Sequence, residues 1–88
     1  MTKPNNLTRW VAEKMQNMKH NMEKQENLDS RIAVCEPYLD LLAGAKGALE
    51  AYGVGEEELA PVEKGRDFVE NEIKSIEMQL EFEKALEE

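Results

Sequence analysis

Val62, Val69, Ile73, Ile76 and Leu80 recur at near-heptad spacing across the C-terminal third of this 88-residue chain. Apolar residues at that period mark one face of a long helix. The spacing predicts a helix over about 57–87, roughly 45 Å long at 1.5 Å per residue. Glu56, Glu57 and Glu58 suit its N-terminus, where negative charge meets the positive end of the helix dipole. Pro61 is then acceptable if it lies in the first turn, where its missing N–H would be unpaired anyway. Whatever else the chain forms must pack against this rod.

Two further helices follow from the same reasoning. Leu7, Val11, Met15, Met18 and Met22 share one face of a segment at about 8–25, with Asn6 or Thr8 as cap. Methionine fills irregular gaps in cores, and this stripe reads as core. The period fails in Glu23–Ser30, where Asn27, Asp29 and Ser30 are good turn and capping residues. A second helix is expected over about 30–52, with a break or kink at Pro37 and a stop at Gly53 and Gly55. Ile32, Cys35, Leu39, Leu42, Leu49 and Tyr52 repeat along it. These segments predict an all-α chain with one domain over 1–88 and coiled-coil-like packing. The arrangement is either a three-helix antiparallel bundle or a hairpin in which the first two segments form one kinked rod.

Gly44 and Gly47 sit inside the second segment, although glycine costs a helix roughly 1 kcal/mol against alanine. Tyr38, Leu41, Leu42, Ala45, Leu49 and Tyr52 are expected to form the main apolar face. Gly44, Ala48 and Ala51 make a smooth shoulder beside it, while Lys46 and Glu50 point away. The shoulder suits close approach of another backbone; tolerance of glycine at a surface is the rival reading.

Charge is unevenly placed. Net charge is −8, with seven acids and seven bases in residues 1–55 but twelve acids and four bases in 56–88. Residues 1–24 hold Lys3, Arg9, Lys14, Lys19 and Lys24 against Glu13 and Glu23. The two ends should attract one another, within a chain or between chains. Glu63, Glu70, Glu77 and Glu81 align as an acidic ridge on the third helix. Like-charge pairs four residues apart, Glu77 with Glu81 and Glu83 with Glu87, each cost about 0.2–0.5 kcal/mol. That cost points to a cationic partner. Phe68, Met78, Phe82 and Leu86 form a second apolar line on the same helix, away from Ile73 and Leu80. The bundle either wraps this line or leaves it for a subunit or partner contact.

Enzyme chemistry finds little support. His20 falls on the polar side of its helix, Cys35 on an apolar one, and nothing arranges them as base and nucleophile. No metal-ligand spacing, phosphate-binding glycine loop or basic stripe for nucleic acid is present. No cofactor or metal is expected, and neither direct nucleic-acid nor membrane contact. A lone cysteine and no apolar run at the start argue for a cytoplasmic protein. The expected function is non-enzymatic: a small acidic inhibitor or adaptor that docks on a larger protein or nucleoprotein complex, through a partner surface that is basic or itself binds nucleic acid. In type, carried by no motif, it resembles phage-encoded inhibitors of host factors. The alternative is a structural oligomerisation unit or chaperone of a secretion or virion assembly. Uncovered apolar surface on either architecture implies a homodimer or higher oligomer.

Overall fold

The computed structural model describes residues 6–87. Three helices run in order: α1 (Asn6–Glu23), α2 (Leu28–Ala51) and α3 (Glu56–Glu87). Each packs on the other two, and the described residues hold no strand. Lys3 and its basic charge lie outside the described residues. The bundle extends 52 × 21 × 21 Å, and the long axis matches α3, whose 32 residues span about 48 Å.

The kinked-rod alternative fails at Lys24–Asn27. Asn27 adopts an extended conformation and its side-chain oxygen accepts from the Ser30 N–H at 2.7 Å. That bond satisfies a donor with no partner inside the helix. The Arg31 Nε donates to the Gln25 carbonyl at 3.1 Å, tying the turn to the start of α2. The chain therefore reverses, and α1 and α2 are separate helices.

At the other turn, Gly53 takes a φ of +83°, which L side chains rarely adopt. The Gly53 N–H donates to Glu50 and the Val54 N–H to Leu49, at 2.9 and 3.1 Å. These two bonds are the Schellman ending of a helix. Gly55 then accepts from the N–H groups of Glu58 and Leu59, each at 3.1 Å, and opens α3.

Pro37 and Pro61 lie inside helices. Pro37 is exposed, so water can serve the carbonyl left without a donor. Pro61 is not in the first turn, as expected from sequence, because α3 begins five residues earlier at Glu56. The carbonyl it leaves unpaired belongs to exposed Glu57.

The core comprises Val11, Met18 and Met22 from α1, Cys35 and Leu42 from α2, and Val62, Val69 and Ile76 from α3. Each such side chain gains about 1.5–3 kcal/mol on full burial. The methionine stripe is core, as its spacing implied. Heptad positions on α2 run Leu28, Ile32, Cys35, Leu39, Leu42, Lys46 and Leu49, all buried or half-buried. This seam rotates α2 away from the expected face: Leu41 is 40% and Tyr52 88% exposed. Lys46 consequently faces α3 and pairs with Glu63, rather than pointing away.

The glycine shoulder is corrected too. Gly44, Ala48 and Ala51 are exposed, and a Cβ built at Gly44 or Gly47 meets nothing within 4 Å. No helix of this chain approaches there. Close approach happens instead at Gly65 of α3. A Cβ there would stand 2.8 Å from Val11 Cγ1 and 3.4 Å from Leu42 Cδ1. At Gly65, side chains from both α1 and α2 close on the backbone of α3.

Candidate docking surface

α3 outruns its cover. Leu42 lies against Gly65, and Lys46 pairs with Glu63. Running antiparallel from those pairs, α2 reaches its first residue, Leu28, near Leu80. Leu28 and Leu80 are both half-buried against the core. Beyond Leu80, every described residue from Glu81 to Glu87 is exposed. That leaves about 10 Å of helix with its side chains exposed among the described residues.

The outer side of this end is apolar. Met78 is 71%, Phe82 65% and Leu86 71% exposed. They stand four residues apart and so stack on one side of α3. Glu77, Glu81, Glu83 and Glu87 flank them, all exposed, with Lys84 as the basic residue of the last turn. Acids at a helix C-terminus also oppose the dipole. The result is three apolar anchors within an acidic border. Phe68, expected on the same line, departs from it. It is half-buried against the core, and the Lys19 ammonium sits 5.6 Å from its ring centroid.

The acidic ridge divides in the same way. Glu63 is engaged by Lys46, the one ion pair among the described residues. Hydrogen bonding and charge from Lys46 hold the Glu63 carboxyl below its usual value, and Glu63 raises Lys46 by the same contact. Glu70 is half-buried. Glu77 and Glu81 stand exposed beside Met78 and Phe82. The upper ridge thus belongs to the fold, and the lower ridge borders the apolar stripe.

Other groups are placed differently. His20 is exposed at the end of α1. Cys35 is fully buried, and its thiol donates to the Met22 sulfur at 3.4 Å. Burial first, then the charges of Glu72 and Glu36, push that thiol's pKa up, so it stays protonated and weakly nucleophilic. Among the described residues no three His, Cys, Asp or Glu side chains group as a metal site. No described helix is long and apolar enough to cross a membrane.

Two further features escaped sequence reasoning. Arg66 occupies a seam position of α3 between Val62 and Val69, and its Nε is buried with no hydrogen-bond partner. An open groove of about 800 Å³ lies between the end of α2 and the start of α3, lined by Lys46, Val54, Leu59, Ala60, Glu63 and Lys64 among others. The Lys46–Glu63 pair already occupies its wall. No family model, curated protein or solved structure matches this chain.

Proposed function

We propose that the chain is a non-enzymatic binding protein that docks through the free end of α3. The supporting observation is the exposure of Met78, Phe82 and Leu86 at helical spacing toward the free end of α3. A helix that presents anchors at such intervals fits a shallow apolar groove on another protein. Glu77, Glu81, Glu83 and Glu87 call for Lys or Arg around that groove. Opposite charges around the contact speed encounter and reject wrong partners. A groove of that kind also suits proteins that grip nucleic acid, so the chain would serve as an inhibitor or adaptor of a larger protein or nucleoprotein complex, of the type mobile elements encode.

The test is capture with three baits: the intact chain, the Phe82→Ala/Leu86→Ala variant and the Glu77→Lys/Glu81→Lys variant. A partner retained by the first and lost by both others, with its binding weakened by salt, supports the reading. Retention of the same proteins by all three baits contradicts it.

A further inference from the structure

We draw no further inference here: the strongest candidate, the exposed, uncharged patch of Leu41, Gly44, Ala48 and Ala51 on the outer side of α2, carries none because nothing in the structure shows what covers it.

Discussion

The two ends of α3 are built from similar residues and behave differently. Around Gly65 the helix is gripped on two sides: Val11 and Leu42 meet at the glycine, and Lys46 engages Glu63. From Glu81 to Glu87, around Phe82, every described residue is exposed, although apolar and acidic residues alternate there much as before. Position relative to α1 and α2 decides the difference, because those helices have 18 and 24 residues against 32 in α3. A glutamate in the covered part joins the fold, and a glutamate in the uncovered part stays available to something else.

Substitutions on either side of Leu80 should separate the two regions. The largest effect is expected from Leu42→Ala, which empties the fully buried position facing Gly65 and should cost about 2–5 kcal/mol in denaturant unfolding. Gly65→Leu comes next, at about 1–3 kcal/mol, because the new side chain must displace stiff, β-branched Val11. Pairing Gly65→Ala with Val11→Ala should cost less than the sum of the two single changes. Phe82→Ala and Leu86→Ala should each stay within about 0.5 kcal/mol, while abolishing partner capture. A stability loss at Phe82 comparable to that at Leu42 would erase the distinction between the ends.

Helix existence was legible because Val62, Val69, Ile76 and the methionines keep strict periods. Which side of α2 faces inward was not. Leu41 and Leu42 each head an apolar heptad line, and only packing on α3 selects the second. Gly65 escaped notice because a lone glycine in a helix reads as a tolerated defect; its cost without a turn nearby was the available signal. The Lys46–Glu63 pair joins residues far apart in sequence, so no local pattern could announce it. The exposed stripe at Met78, Phe82 and Leu86 was legible as a face, but whether the bundle wrapped it depended on where α2 begins.

Smaller effects refine the contrast further. Arg66→Met replaces a side chain whose buried Nε has no partner, and should leave thermal stability unchanged or raised by up to about 1 kcal/mol. The Lys46–Glu63 contact should show in pH titration. Glu63 is held below its usual carboxylate value, so its contribution is present above that value and fades as pH falls through the lowered one. Glu63→Gln should flatten that part of the acid unfolding profile, with an effect that shrinks in salt because the pair is half-exposed.

The central claim is that Phe82 is free of its own chain while Phe68 is not. The chain has two phenylalanines, so fluorine labelling of that residue type gives two NMR signals, assigned by Phe82→Tyr. A soluble paramagnetic agent should broaden the Phe82 signal strongly and the Phe68 signal weakly, since Phe68 lies beneath Lys19. Equal shielding of both rings in the isolated protein would contradict the account.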